Sequence, residues 1–135
     1  MRASASASLS MVRRAATVVL PALAAAALIA APAQAQESYL RITTYHGGST
    51  AQWFLTCGPD GGVHPEPGAA CDRLEELGGD LDRIRFRPGV ACPRIFDPVH
   101  VEIRGDYLGE PVDFTDDYPN PCFVERLAAP IVPAV

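Results

Sequence analysis

The sequence contains no lysine, so arginine supplies all 11 of its basic residues against 16 acidic residues, a formal charge of −5 over 135 residues. Such an excess of negative charge disfavours nucleic acids and anionic membranes as partners, because both repel an acidic surface. Histidines are also few and scattered, at His46, His64 and His100. They form no recognisable set with serine and acidic residues, and no closely paired metal ligands. We therefore expect neither an enzyme nor a metal or cofactor site.

The first 35 residues have the three parts of an export signal. Three arginines lie within the first 14 residues, residues 15–31 are apolar apart from Thr17 and Pro21, and Ala33-Gln34-Ala35 fits the small-x-small cleavage rule. The apolar stretch is alanine-rich, contains a proline and falls short of the roughly 20 residues that a transmembrane helix needs. The sequence predicts a signal peptide over residues 1–35 and a secreted, extracellular protein. The mature domain, residues 36–135, keeps eight arginines and all 16 acidic residues, a formal charge of −8.

All four cysteines follow the predicted cleavage site, at Cys57, Cys71, Cys92 and Cys122. An even number of cysteines in a small exported domain indicates two disulfides, and three pairings are possible from the count alone. Oxidised cysteines offer no thiolate, so a cysteine nucleophile is not expected. For a single domain of this size the two disulfides should supply a large share of the stability.

Alternating apolar and polar residues indicate an antiparallel sheet, and one stretch has helical spacing. Strands are predicted over residues 39–45, 51–57, 99–107 and 111–118, with a short terminal strand over 130–135. A helix is predicted over residues 69–77, with Glu75 and Glu76 on its solvated face, and a second short helix over 123–128. Residues 58–68 are rich in glycine and proline and predict a loop, and the arginine-rich residues 83–89 predict a short extended segment. The expected fold class is α+β, a helix packed on an antiparallel sheet.

The segment "VACPRIFDPV", residues 90–99, has two prolines that favour extended backbone around Arg94, Ile95 and Phe96. A cysteine directly before the first proline ties the segment to another part of the chain. An exposed, extended and preordered backbone is the shape that the cleft of a serine protease binds. The segment therefore predicts a site that a protease would bind as it binds a substrate.

The sequence from about Leu40 to about Leu127 resembles the Streptomyces subtilisin inhibitor family. The stretch "LTCGPDGGVHPEPGAACDRLEELGGDLDRI" is similar to the first cysteine region of that family, and "CPRIFDPVHVEIRGDYLGEPVDFTDDYPNPC" is similar to its reactive loop and closing Asn-x-Cys. The resemblance is specific because many short motifs occur in the family's order: Cys57, His64-Pro65, Cys71, Gly78-Gly79-Asp80, Cys92-Pro93, Asp97-Pro98 and Asn120.

This resemblance implies a sheet of about five antiparallel strands with two helices, and a homodimer formed through the sheet. It implies disulfides from Cys57 to Cys71 and from Cys92 to Cys122. It places the reactive bond between Arg94 and Ile95. The rest of the protease-binding loop and its supporting residue would then be Val90, Ala91, Cys92, Pro93, Phe96, Asp97 and Asn120.

The expected function is reversible, substrate-like inhibition of extracellular serine proteases. Arg94 suits a trypsin-like enzyme, whose specificity pocket ends in an aspartate. Subtilisin-like enzymes depend more on extended backbone and would also be inhibited. The alternative is a secreted binding module on the same scaffold without inhibitory activity, which a protease would cut rapidly at Arg94.

Overall fold

The computed structural model describes residues 36–135, so the predicted signal peptide lies outside the described residues. Its centre is a five-stranded antiparallel sheet in the order β3-β2-β1-β4-β5. The strands are β1 (Ser38–His46), β2 (Ser49–Cys57), β3 (Gly61–Val63), β4 (Val99–Tyr107) and β5 (Glu110–Tyr118). The predicted α+β class, with about five strands and two helices, is confirmed. No helix in the described part of the chain is long and apolar enough to cross a membrane.

Strand β1 lies in the middle of the sheet, and its alternating residues create the two faces. Leu40 and Ile42 are buried, and Ile42 lies between Trp53 of β2 and Ile103 of β4. Because side chains alternate along a strand, the residues between them point to the opposite face, which is largely solvated. Strands β1 and β2 form one antiparallel hairpin and β4 and β5 form another, and the strand pattern thus places one apolar face toward a core.

Helix α1 (Pro67–Leu77) covers that apolar face with Ala70, Cys71, Leu74 and Leu77, all buried. A disulfide from Cys57 to Cys71 fastens it to the end of β2. The helix begins two residues before the prediction because Pro67 is tolerated in the first turn. It ends where predicted, at Gly78, whose φ of 64° is left-handed and whose amide donates to the carbonyl of Glu75.

Two predictions in the middle of the chain are wrong in part. The predicted loop over residues 58–68 contains β3, which pairs with residues 54–56 of β2. The predicted extended arginine segment begins instead as a 3-10 helix, Leu81–Ile84, because Asp80 accepts a hydrogen bond from the amide of Asp82 and the two apolar residues of the turn are buried. Arg85, just after this turn, donates to the carbonyl of Thr115 on β5 at 2.7 Å.

The C-terminal part of the domain also differs from the prediction. The expected short helix is α2 (Pro121–Phe123), which continues into a π-helical turn, Val124–Ala128. The expected terminal strand over residues 130–135 is absent from the described structure, and Ile131 and Val132 are instead fully buried in the core. Pro130 and Pro133 have no amide hydrogen to donate to a sheet, which explains why apolar residues there serve packing rather than strand pairing.

Candidate functional site: the reactive segment

The reactive segment, residues 90–98, has no regular secondary structure and leads directly into β4. The first residue of β4, Val99, pairs with the last residue of β5, Tyr118. The chain entering β4 and the chain leaving β5 therefore meet at the same end of the sheet. This register brings the reactive segment beside the support segment, residues 119–122, which precedes and opens α2.

The middle of the reactive segment is exposed to solvent. Ile95 is 60% exposed and Phe96 is 87% exposed, and Arg94, Ala91, Pro93 and Asp97 are exposed as well. Val90 and Cys92 are half-buried, and Val90 packs against the core, so it anchors the segment. Adjacent large apolar side chains held in water are typical of a surface that binds another molecule.

Asn120 fixes the backbone on both sides of the Arg94–Ile95 bond. The residue is only 4% exposed, and its Nδ2 donates to the carbonyl oxygens of Pro93 at 3.0 Å and of Ile95 at 2.8 Å. Its Oδ1 accepts from the amide of Cys122 at 3.1 Å and so caps α2. One amide group thus uses its acceptor to hold its own position and its two donors to hold the reactive segment.

Two further links fasten the segment at points flanking those hydrogen bonds. On the N-terminal side, a disulfide joins Cys92 to Cys122. On the C-terminal side, the amide of Asp97 donates to the carbonyl of Pro119 at 2.9 Å. Both pairings implied by the resemblance are confirmed, since the other disulfide joins Cys57 to Cys71.

A histidine that the sequence did not single out lies beside this segment. Nε2 of His46, at the end of β1, is 3.0 Å from Oδ1 of Asp97. The two residues are 51 positions apart, and no local motif links them. Only the pairing of His46 with Val99 across β1 and β4 brings them together.

The three histidines have separate neighbours within residues 36–135. His64 is buried and contacts the carbonyl of Ile131 at 3.1 Å, whereas Nδ1 of His100 lies 2.8 Å from Oδ1 of Asp117. The hydrogen bond to Asp117 raises the pKa of His100, with a smaller contribution from Glu102. The histidines therefore do not converge on one set of reacting groups.

Among residues 36–135, one cluster of metal-ligand residue types occurs at the other disulfide, formed by Cys57, Asp60 and Cys71. The two sulfur atoms are bonded to each other. They therefore cannot act as thiolate ligands, and the cluster has one carboxylate to offer.

Three comparisons show which known proteins this chain resembles. The subtilisin inhibitor-like family matches residues 36–120. Among curated relatives, Trypsin inhibitor STI2 of Streptomyces longisporus is 38% identical over 119 residues, covering 79% of this chain and 82% of its own. Subtilisin inhibitor-like protein 4 of Streptomyces lavendulae is 37% identical over 101 residues, covering 69% of this chain and 87% of its own. The names of these relatives denote protease inhibitors rather than enzymes.

A solved structure has a similar fold. Streptomyces caespitosus sermetstatin, crystallised in complex with Bacillus licheniformis subtilisin, is similar with a TM-score of 0.60 and 28% identity. The match covers 73% of this chain and 99% of that one.

Proposed function

This chain belongs to the subtilisin inhibitor-like family, and from that premise we propose that it is a secreted, reversible, substrate-like inhibitor of serine proteases whose reactive bond is Arg94–Ile95. The observation that carries the proposal is the pair of hydrogen bonds from Asn120 to the carbonyls of Pro93 and Ile95. The two hydrogen bonds hold the carbonyl of Pro93, just before Arg94, and the carbonyl of Ile95, just after it. The Arg94 carbonyl that a protease would attack lies between them.

The mechanism follows from what this restraint does to a cut bond. The catalytic serine of the protease attacks the carbonyl carbon of Arg94 and forms an acyl-enzyme, and the amine of Ile95 becomes the leaving group. That amine cannot diffuse away, because Ile95 is held by Asn120 and the next link is the Asp97 amide on Pro119. A retained amine at a high effective concentration re-forms the peptide bond, so resealing competes with hydrolysis.

Affinity follows from the same restraint before any bond is cut. Binding an extended loop normally costs the entropy of ordering it, and a preordered loop avoids most of that cost. The Cys92–Cys122 disulfide and the buried Asn120 side chain have already fixed the backbone here. Exposed Ile95 and Phe96 then supply apolar area that the protease can bury.

Arg94 decides which proteases are bound most tightly. A trypsin-like enzyme offers a deep pocket with an aspartate that pairs with the guanidinium. The similarity to a relative named a trypsin inhibitor supports this specificity. Subtilisin-like enzymes are proposed as targets through the shape of the loop, and the similarity to an inhibitor bound to subtilisin supports them.

We further propose a homodimer formed through the solvated face of the sheet. Tyr39 and Tyr45 are 49% and 41% exposed there, and Tyr39 stacks on Phe54 with ring centroids 6.0 Å apart. Such aromatic area on a sheet face is suited to a two-fold contact, in which each copy presents the same surface.

Sedimentation should show a dimer at micromolar concentration that Tyr39→Glu dissociates. Phe96→Glu, which adds the same charge to the reactive segment, should leave the dimer intact.

Titration of the mature protein with trypsin and with subtilisin tests the proposed inhibition. Stoichiometric loss of both activities is expected, followed on long incubation by a nicked chain whose new N-terminus is Ile95. Rapid cutting without loss of protease activity would instead indicate a binding module that lacks inhibition. Sequencing the N-terminus of protein recovered from culture medium tests secretion, with Gln36 expected as its first residue.

A further inference from the structure

The chain that leads into the reactive segment contains a second bond that a trypsin-like protease could cut. In the described part of the chain, three arginines lie outside the helices, helical turns and strands: Arg85, Arg87 and Arg94. Arg87 precedes Pro88, whose ring removes the amide hydrogen and fixes φ on the leaving side, so that bond suits a protease cleft poorly. Arg85 precedes Phe86, which is 75% exposed. The Arg85–Phe86 bond is therefore the competitor of the reactive bond.

A cut at this bond would have a different outcome from a cut at the reactive bond. One disulfide lies wholly before Arg85 and the other lies wholly after it. A cut after Arg85 would therefore leave two pieces with no covalent link, one with β1, β2, β3 and α1 and the other with β4, β5 and α2. A cut after Arg94 leaves its two pieces joined through Cys92–Cys122. Inhibition through Arg94 thus requires that Arg85 is not cut first.

Four groups hold the side chain of Arg85. Its Nε donates to Oδ1 of Asp82 at 2.7 Å, and its Nη1 donates to the carbonyl of Thr115 at 2.7 Å. The same Nη1 lies 3.4 Å from Oδ1 of Asp116, and the guanidinium carbon lies 4.5 Å from the centre of the Phe114 ring, a cation–π contact. Three of these partners belong to β5, so the contacts fasten the chain after the 3-10 helix to the edge of the sheet.

These contacts oppose cleavage because a protease must break them. To cut the Arg85–Phe86 bond, the enzyme has to draw the chain into its cleft and take the guanidinium into its specificity pocket. Cleavage of a segment that opens transiently follows the population of the open form. One exposed ion pair would change that population little, but a planar guanidinium with several partners at once loses all of them on opening.

We propose that the contacts of Arg85 with Asp82 and β5 make the Arg85–Phe86 bond resistant to trypsin-like proteases and so direct these enzymes to Arg94. Arg85 thereby determines where the chain is attacked, although it does not touch the reactive bond. The consequence for inhibition rests on the proposed function, whereas the resistance of this bond to trypsin can be measured without it.

The first test removes two of the partners in a chain that lacks the reactive arginine. Arg94→Met serves as the background, because its reactive segment no longer offers trypsin an arginine. Adding Asp82→Ala and Asp116→Ala should speed cleavage after Arg85 about tenfold, the size expected for two partly exposed ion pairs. A new N-terminus at Phe86, and two fragments that separate without reduction, identify the product. Equal rates with and without the two substitutions would overturn the proposal.

A second variant changes the arginine and leaves both carboxylates in place. Arg85→Lys, in the same background, keeps a cationic side chain that trypsin accepts. A compact ammonium cannot make the forked contacts of a guanidinium, so cleavage after this position should again be about tenfold faster. Unchanged cleavage would show that the guanidinium contacts do not protect the bond.

Asp113→Ala is the matched control. Asp113 accepts from Arg104 at 2.7 Å, the distance found between Asp82 and Arg85, and the two aspartate side chains are 72% and 76% exposed. Arg104, however, lies in β4, which is paired on both sides. This variant should be cut after Arg85 at the rate of its Arg94→Met background. If it accelerated that cut as much as the paired substitutions, loss of surface charge would explain the effect and the proposal would be wrong.

A final experiment restores Arg94 and measures the consequence for inhibition. Wild type and the variant with Asp82→Ala and Asp116→Ala are each mixed with one equivalent of trypsin, and the return of trypsin activity is followed. Activity should return about tenfold sooner with the variant, together with the fragment that begins at Phe86. Return at the same time would refute the consequence for inhibition. If wild type does not inhibit trypsin, the proposed specificity is wrong, and the cleavage rates in the Arg94→Met background still decide whether Arg85 protects the bond.

Discussion

Replacing Asn120 by alanine should separate the folding of the domain from its resistance to cleavage. The substitution removes the two donors that reach the reactive segment and the acceptor that caps α2. A net contribution of about 1 kcal/mol for each hydrogen bond gives a loss of about 2–3 kcal/mol in the free energy of unfolding. Urea denaturation with the disulfides intact measures this loss.

The substitution should change resistance to cleavage more than it changes the free energy of unfolding. Without Asn120 the carbonyl of Ile95 is released, so the amine formed on cutting the Arg94–Ile95 bond can move away before it reseals. Loss of two hydrogen bonds, at about 1 kcal/mol each, should speed net hydrolysis at least about tenfold. Incubation with stoichiometric subtilisin, followed by mass spectrometry of the fragment beginning at Ile95, provides the rate.

Asn120→Ser is the matched control, because serine also caps helices but is too short to replace the two amide donors. It should recover about 1 kcal/mol of the stability lost in Asn120→Ala and still be cleaved as rapidly as that variant. A folded serine variant that resisted cleavage as well as the wild type would refute the reasoning. Restraint by Asn120 would then not be the basis of inhibition.

Four other variants test separate parts of the structure. Arg94→Met should weaken trypsin inhibition by about 2–5 kcal/mol, because the pocket aspartate is left unpaired, and should leave inhibition of subtilisin little changed; equal losses for both enzymes would contradict this. Replacing Cys92 and Cys122 by alanine should lower stability by about 2–5 kcal/mol and turn the inhibitor into a substrate. Removing the other disulfide should affect inhibition less. The raised pKa of His100 contributes stability below about pH 6.5 that is lost as pH rises through that pKa, so the pH dependence measured by urea denaturation should weaken in Asp117→Asn.

The elements that could be predicted are the strands and the helix whose own residues show a regular spacing of apolar side chains. Alternation in β1 and β4 and the spacing of Cys71, Leu74 and Leu77 identify buried faces directly. By contrast, β3 has two glycines in three residues, so its own sequence offers no strand signal; it exists because β2 presents free hydrogen-bonding groups to it. The apolar pattern around Ile131 and Val132 is typical of a strand, but both residues are instead fully buried in the core.

The sheet's buried face, the helix end at Gly78 and the exposed segment around Arg94 follow from local sequence, because periodicity and proline geometry act over a few residues. The sequence also placed Asn120, through the resemblance. The contacts of Asn120 with the carbonyls of Pro93 and Ile95, and of His46 with Asp97, depend instead on how the whole chain folds. Those contacts join residues 25 to 51 positions apart, and the register of β4 with β5 and β1, not any local pattern, brings them within hydrogen-bonding or ion-pair distance.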